Sequence, residues 1–356
     1  MERKEIIVLM VCLGVGGAER VLTELTNEWV ELGHKVTILL REPLSYIHDY
    51  EVDERITVIS FNNKGKTKLV KRINYALNLR RYLHKHRQAT VIAFLNPTIR
   101  ILGMIMPFVE NRLVFSERCD PYHSPKNRYL RIVRNELFKK ADICVFQTHG
   151  AKEYFSKYVQ NKSVVIPNPI NPCLLEPYKG SRDKRIVAAC QLIPQKNLPM
   201  LITAFSMLHK DHPDYKLYIY GRGPLREELI DLSNKLGVSE HVCFPGFVKN
   251  INEIMNKAAM YVSSSNYEGI SNSMLEALGL GVPTICTDCP IGGAREMIED
   301  GVNGILVPVG DHKALYQAMK TIIEDSELSN KLSAEAIKIR NKYPARISAE
   351  EWLKII

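Results

Sequence analysis

No Asp-x-Asp pair occurs in the 356 residues, so the chain lacks the carboxylate pair that commonly holds Mg²⁺ or Mn²⁺ on a diphosphate. Long apolar runs are missing as well. The stretch from Ile6 to Leu13 is far shorter than the roughly 20 residues that cross a bilayer, and Ile101 to Val109 is broken by Gly103 and Pro107. The first run has no small-residue cleavage site after it, so a first strand is expected there rather than a signal peptide, in a protein that stays in the cytoplasm. Internal repeats and low-complexity tracts are absent, which excludes solenoids and disordered linkers. The eight cysteines are scattered singly, and Cys12, Cys144, Cys190 and Cys243 sit in strand-like runs as small core residues. Cys286 and Cys289 have the spacing of a zinc or redox pair. With no second pair and no histidine cluster nearby, reduced thiols and no metal are expected.

What is present is an ordinary globular composition, 46% hydrophobic and 24% charged, in a chain long enough for two cores. Apolar runs of strand length alternate with helical periodicity throughout. Glu5 to Val11 reads as a buried parallel strand, followed by a Gly14–Gly17 turn, a helix from Ala18 to Leu32 stopped by Gly33, and a strand from Lys35 to Leu40. That is a Rossmann-like opening. The glycines lack the G-x-G-x-x-G spacing and no acidic residue ends the second strand, so a dinucleotide is not indicated. Gly16 and Gly17 can instead let the backbone approach a phosphate or an acceptor closely. A basic helix is expected over 66–87, and the Pro/Asn cluster from Pro167 to Pro177 marks a linker. The alternation then resumes, giving domains over 1–168 and 184–343.

The most informative stretch is Ser263–Ala294. Helical periodicity starts at Asn272 (Met274, Leu275, Leu278) and is stopped by Gly279, Gly281 and Pro283. Glu268-Gly269-Ile270-Ser271 is therefore a loop feeding a helix N-terminus, whose N–H groups and partial positive charge suit a phosphate. Glu276, one turn inside, can face the same crevice as Glu268. An exposed helix often carries two such glutamates, so the glycine, the Ser/Asn start and the flanking strands are what give the pair meaning. Lys196, just before another helix, is placed to direct its ammonium at the cradle formed by 269–273.

Charge is uneven. Residues 1–180 hold 28 Lys and Arg against 18 Asp and Glu, residues 181–356 hold 20 against 21, and residues 64–140 hold 18 against 4. Nucleic acid, an anionic membrane or a phosphate-rich acceptor would each account for this excess, and the first lacks any accompanying motif. Arg128, Arg131 and Arg134, with Leu130, Ile132, Val133, Leu137 and Phe138 between them, read either as a basic amphipathic helix for anionic lipid or as a surface helix packed on its own domain.

The segment Ser263–Ala294, continuing through Gly304-Ile-Leu-Val-Pro, closely resembles the donor-binding signature of family 4 retaining glycosyltransferases, and the resemblance extends over nearly the whole chain. It implies the GT-B fold, two Rossmann-like domains facing across a cleft, with the C-terminal helix of 344–356 packing back on the first domain. It assigns Glu268 to the donor sugar and Glu276 to the ribose hydroxyls. The diphosphate falls to Lys196 and to Gly269, Ile270, Ser271 and Asn272, with Gly16 and Gly17 beside it. Gln191 and Asn197 flank Lys196, and Phe247-Val248 lie near the base. The family usually has Arg where this chain has Gln191, which leaves more of the charge to Lys196. Glu117-Arg118 falls among cleft-lining residues, where His is common at the second position, so an acceptor-phosphate contact by Arg118 is expected. The resemblance is strongest to bacterial enzymes of capsule, exopolysaccharide and lipid-linked oligosaccharide synthesis. It implies a UDP-sugar donor, an undecaprenyl-diphosphate-linked acceptor, no metal or cofactor, no nucleic acid, and peripheral attachment to the anionic inner face of the membrane. A GDP-mannose-dependent mannosyltransferase, a sugar-nucleotide epimerase of the same fold and a non-catalytic partner are the other readings.

Overall fold

A computed structural model gives the fold and describes residues 3–14, 16–43, 51–61 and 67–356. Val15 in the glycine turn and the expected helix start at residue 66 fall outside the described residues. The chain divides into two units, Met1–Pro169 with Ala345–Ile356, and Ile170–Pro344.

The first unit runs β1 (Glu5–Met10), α1 (Gly17–Glu31), β2 (Lys35–Leu40), β3 (Thr57–Ser60), α2 (Lys68–Lys85), β4 (Thr90–Ala93) and α3 (Asn96–Ile105). It continues with β5 (Leu113–Glu117), α4 (Arg128–Lys140), β6 (Ile143–Phe146), α5 (His149–Glu153), α6 (Lys157–Asn161) and β7 (Ser163–Val165). Among the described residues these strands form a seven-stranded parallel sheet in the order β3-β2-β1-β4-β5-β6-β7. Ile6, Ile7 and Val8 of β1 are wholly buried, as a strand covered on both faces requires.

The second unit repeats the scheme with β8 (Asp183–Ala189), a 3₁₀ turn at Pro194–Lys196, α7 (Leu198–Asp211), β9 (Lys216–Tyr220), α8 (Arg226–Lys235), β10 (Val242–Gly246) and α9 (Ile251–Asn256). Next come β11 (Ala258–Ser263), α10 (Asn272–Gly279), β12 (Thr284–Thr287), β13 (Ile305–Val307), α11 (His312–Glu324), α12 (Ser326–Ala336) and α13 (Ile339–Lys342). Its six strands are ordered β10-β9-β8-β11-β12-β13. The last helix, α14 (Ala345–Leu353), belongs to the first unit. It is fixed there by Trp352, which stacks on Phe94 at 5.3 Å and meets Trp29 edge-on, while the Trp29 indole N–H donates to the Ala349 carbonyl at 3.1 Å. Two such wholly buried aromatics contribute about 3–5 kcal/mol each by the usual cost of truncation.

Strand β4 stops just short of Asn96-Pro97, which opens helix α3, because proline within the first turn gives up an N–H that has no helical partner anyway. One sequence expectation is corrected. Arg134 does not join Arg128 and Arg131 on an outer face of α4 but is fully buried. It donates to Glu117 Oε2 at 3.0 Å and to the Pro121 carbonyl at 3.0 Å, and lies 5.1 and 5.0 Å from the centres of the Tyr154 and Phe155 rings. A guanidinium with carboxylate and carbonyl acceptors can be buried where an unpaired one cannot.

Candidate active site

In the second unit the chain winds from β8 through β9 to β10 on one side and resumes at β11 on the other, so strand order reverses between β8 and β11. The crevice beyond the carboxyl ends of strands at such a point is where open α/β sheets bind ligands. Lys196 follows β8 and Glu268 follows β11, and the structure pairs them directly: the Lys196 ammonium donates to Glu268 Oε2, which also accepts from Ser265 Oγ at 3.1 Å. The two residues are 72 positions apart in sequence.

The loops carrying them are sewn together. Asn266 N–H donates to the Gln195 carbonyl at 2.8 Å, and the Gln195 side chain donates to the Tyr267 carbonyl at 3.0 Å. Ser264 Oγ reaches the Lys196 carbonyl at 2.9 Å, and Asn197 Nδ2 donates to Asn266 Oδ1 at 2.9 Å. Asn197 adopts the left-handed conformation (φ 43°) that ends the 3₁₀ turn and starts α7, one of the few non-glycine side chains that tolerates it. These contacts hold the Lys196 stem at a fixed distance from Glu268.

Glu268-Gly269-Ile270-Ser271 then leads into α10. Ser271 caps it, its hydroxyl accepting from Met274 N–H at 3.4 Å, and Ser273 Oγ donates to the Ala189 carbonyl at 3.0 Å, tying the helix start to the end of β8. Gly269 and Ile270 are buried, and Glu276 is only 6% exposed within α10. A small cavity is lined by Glu268, Gly269, Ser271, Cys286 and Cys289. All eight cysteines are free thiols, and burial pushes Cys286 well above the ordinary thiol range. Among the described residues no three His, Cys, Asp or Glu side chains are grouped to hold a metal ion.

Two contributions were not visible in the sequence. Gly293 lies so close that a Cβ there would stand 2.0 Å from the Gly269 carbonyl oxygen, so the Gly292-Gly293 turn backs the cradle loop. The Gly-Gly dipeptide signals a tight turn but not what it touches. Gly221 and Gly223 similarly approach the Cys190 and Leu192 carbonyls, bringing the loop after β9 onto the loop after β8. Arg222 between them places its guanidinium 5.8 Å from the Phe247 ring, which is 42% exposed, while Val248 is packed beside Val187 and Tyr220. Gln191 is exposed and contributes its carbonyl to Ile193 N–H. Lys196, Asn197, Glu268 and residues 269–272 are thus brought together at one strand-order reversal, with Phe247-Val248 on the loop after β10.

In the first unit the order reverses between β1 and β4, and Gly16-Gly17 opens α1 just beyond β1. Glu19 folds back over it: a Cβ on Gly16 would lie 2.0 Å from the Glu19 carboxylate, whose pKa burial raises. Glu117 at the end of β5 is committed to Arg134 and to the N–H groups of Arg118 and Cys119, and burial raises its pKa despite the guanidinium. Arg118 is buried, and among the described residues no carboxylate forms an ion pair with it. It donates to the Ile166 carbonyl at 3.3 Å and to Asn168 Oδ1 and lies 5.0 Å from the Phe94 ring, and burial brings its pKa down to about 9.

Comparison with known proteins gives a family match on each unit. The model of "Glycosyltransferase Family 4" matches residues 15–173, and that of "Glycosyl transferases group 1" matches residues 177–339. The N-acetylgalactosamine-N,N'-diacetylbacillosaminyl-diphospho-undecaprenol 4-alpha-N-acetylgalactosaminyltransferase of Campylobacter jejuni is 29% identical over 98% of this chain and 96% of its own length. A second Campylobacter jejuni alpha-1,4-N-acetyl-D-galactosaminyltransferase, acting on a diNAcBac-PP-undecaprenol glycan, is 26% identical over 98% and 97%. Anabaena HepE, solved with UDP and glucose, superposes with a TM-score of 0.84 at 18% identity over 99% of both chains. With one family model on each unit and two parallel α/β sheets of matching topology, the chain belongs to the family 4 glycosyltransferases of the GT-B fold.

Proposed function

We propose that this chain is a retaining, metal-independent glycosyltransferase that moves a sugar from a UDP donor onto an undecaprenyl-diphosphate-linked glycan in bacterial surface-polysaccharide synthesis. It works at the anionic inner face of the cell membrane. The observation that carries the reading is the Lys196–Glu268 pair beside the N-terminus of α10. Departure of the nucleoside diphosphate leaves negative charge on the phosphates and positive charge on the sugar ring. A cation and a helix N-terminus stabilise the first, and a carboxylate stabilises the second. Lys196 exchanges Glu268 for the diphosphate when the donor arrives, which frees the carboxylate for the sugar. Glu276 takes the ribose hydroxyls, residues 269–272 supply backbone donors, and Phe247-Val248 border the base. No metal or cofactor is required. The undecaprenol acceptors of the Campylobacter relatives support the lipid-linked substrate, and the HepE complex supports UDP.

Calorimetry against UDP-, GDP- and ADP-sugars with EDTA present tests this directly. One nucleotide bound without metal and lost in Lys196→Ala is the expected result, and transfer with α-configuration kept is read by NMR of the product. No binding across the panel would overturn the reading.

A further inference from the structure

We infer that the outer side of the α2–α3–α4 layer is a docking surface for an anionic lipid bilayer; this rests on the lipid-linked reading above and names the surface that serves it. Right-handed crossovers put α2, α3 and α4 on one face of the first sheet, because β3→β4→β5→β6 all step in one direction, while β1→β2 steps the other way. The opposite face is covered by α1 and α14, which pack on each other. Helix α3 lies between α2 and α4, and Gly103 lets α4 come close: a Cβ there would stand 2.5 Å from Leu137.

The outer side of this layer is apolar where solvent should be. On α2 the inner stripe is Tyr75, Ala76, Leu79 and Leu83, yet Leu69, Ile73 and Leu77 make a second stripe at helical spacing that is 66%, 41% and 43% exposed. On α4, Tyr129 and Ile132 are 70% and 55% exposed. Phe108, after α3, is 55% exposed. Cations are interleaved with these rings: Arg80 lies 4.6 Å over Phe108 and Arg128 5.8 Å from Tyr129.

The charge has the sign that lipid headgroups need. Residues 64–140 hold 18 basic against 4 acidic side chains, Arg118 and Arg134 among the basic ones being buried. Of those four acids, Glu117 and Asp120 are buried, Glu136 is 2.7 Å from Lys139, and Glu110 is 3.5 Å from Arg87. The opposite layer is acidic instead, with Glu19, Glu24, Glu28 and Glu31 on α1 and Glu350 and Glu351 on α14. An apolar surface rimmed by cations and backed by an acidic layer is oriented toward an anionic interface, with aromatic rings at headgroup depth.

The test is co-sedimentation of the full chain with vesicles of mixed phosphatidylglycerol and phosphatidylcholine, compared with phosphatidylcholine alone. The chain binds the mixed vesicles only. Arg72→Gln with Arg128→Gln weakens binding roughly 20- to 30-fold, from about fivefold per cation. Leu69→Ser with Ile132→Ser abolishes binding at moderate salt with an unchanged melting curve, and Lys235→Gln on α8 has no effect. Tyr129→Trp reports insertion as a blue-shifted emission on the mixed vesicles. Equal binding to both vesicle types, or binding indifferent to the α2 and α4 variants, would overturn the surface. So would a dimer dissolved by the same variants in a protein that ignores vesicles. The donor panel is independent: nucleotide-sugar binding with failed docking refutes only this surface, whereas failed nucleotide binding refutes the transferase reading.

Discussion

Gly293→Ala separates the backbone that shapes the proposed donor cradle from the side chains proposed to touch the donor. The added Cβ would lie 2.0 Å from the Gly269 oxygen and 2.5 Å from its carbonyl carbon, where ordinary contact begins at 3.4 Å. The two backbones must therefore separate by about 1.4 Å, since neither partner is a flexible side chain. Overpacking of this kind costs about 1–3 kcal/mol, within the roughly 5–15 kcal/mol that holds a domain together, so the protein stays folded with a lowered Tm. Catalysis suffers more, because a misplacement of about 1 Å costs on the order of 100-fold. The expected result is a drop of that order in kcat/KM for the donor identified by calorimetry, with weaker UDP binding. Gly292→Ala is the control. Its φ of +76° strains an alanine by about 1–2 kcal/mol, but its Cβ would meet only the Arg295 side chain, at 3.2 Å. It should lose stability while keeping donor affinity within about threefold, a margin of under 1 kcal/mol. A Gly293→Ala enzyme with native kcat/KM would refute the claim that this turn sets the position of residues 269–270.

Other perturbations follow from the same geometry. Lys196→Ala weakens UDP binding roughly 10- to 100-fold, the range for a charge-assisted hydrogen bond, and leaves uridine binding unchanged; parallel loss of both by calorimetry would count against a diphosphate contact. Glu268→Ala lowers turnover far more than donor affinity, and equal losses in steady-state kinetics would sink that division of roles. Arg134→Met strands Glu117 in the core and costs about 3–5 kcal/mol, a fall in Tm on the order of 10 °C that Glu117→Gln in the same chain largely restores in calorimetry; an unchanged single-variant Tm would contradict the pairing. Glu19 has a pKa raised by burial, so the folded state holds its proton more tightly than the unfolded chain does. Its cost to stability is therefore absent at acid pH and appears as pH rises through the raised value. Glu19→Gln should raise Tm at neutral pH and leave it unchanged below the carboxylate range, and a pH-independent difference would point to packing instead.

The start of α10 was legible because its determinants are local: Ser271 supplies the cap, Met274, Leu275 and Leu278 the period, and Gly281, at φ +65°, the stop. Helix α3 was not, because Pro97 marks a break in a pattern search, whereas in a first turn it marks a beginning. Arg134 misled for a different reason. Spacing puts it near Arg128 and Arg131, and an arginine defaults to the surface unless a partner is known; its partner Glu117 lies 17 residues upstream at the end of a strand, and only folding brings it there. The Lys196–Glu268 contact depends on β8 and β11 being neighbours, a fact of strand order that alternation of strands and helices leaves open. Gly293 on Gly269 depends in turn on β11 and β12 being neighbours. Local chemistry thus names the cap, the lysine and the glutamates, and sheet topology decides which of them meet. An ammonium already resting on the glutamate beside a helix N-terminus makes the proposed donor binding an exchange of one anion for another. Affinity for the diphosphate is then measured against Glu268 rather than against water, and replacing Glu268 with glutamine should tighten UDP while slowing transfer.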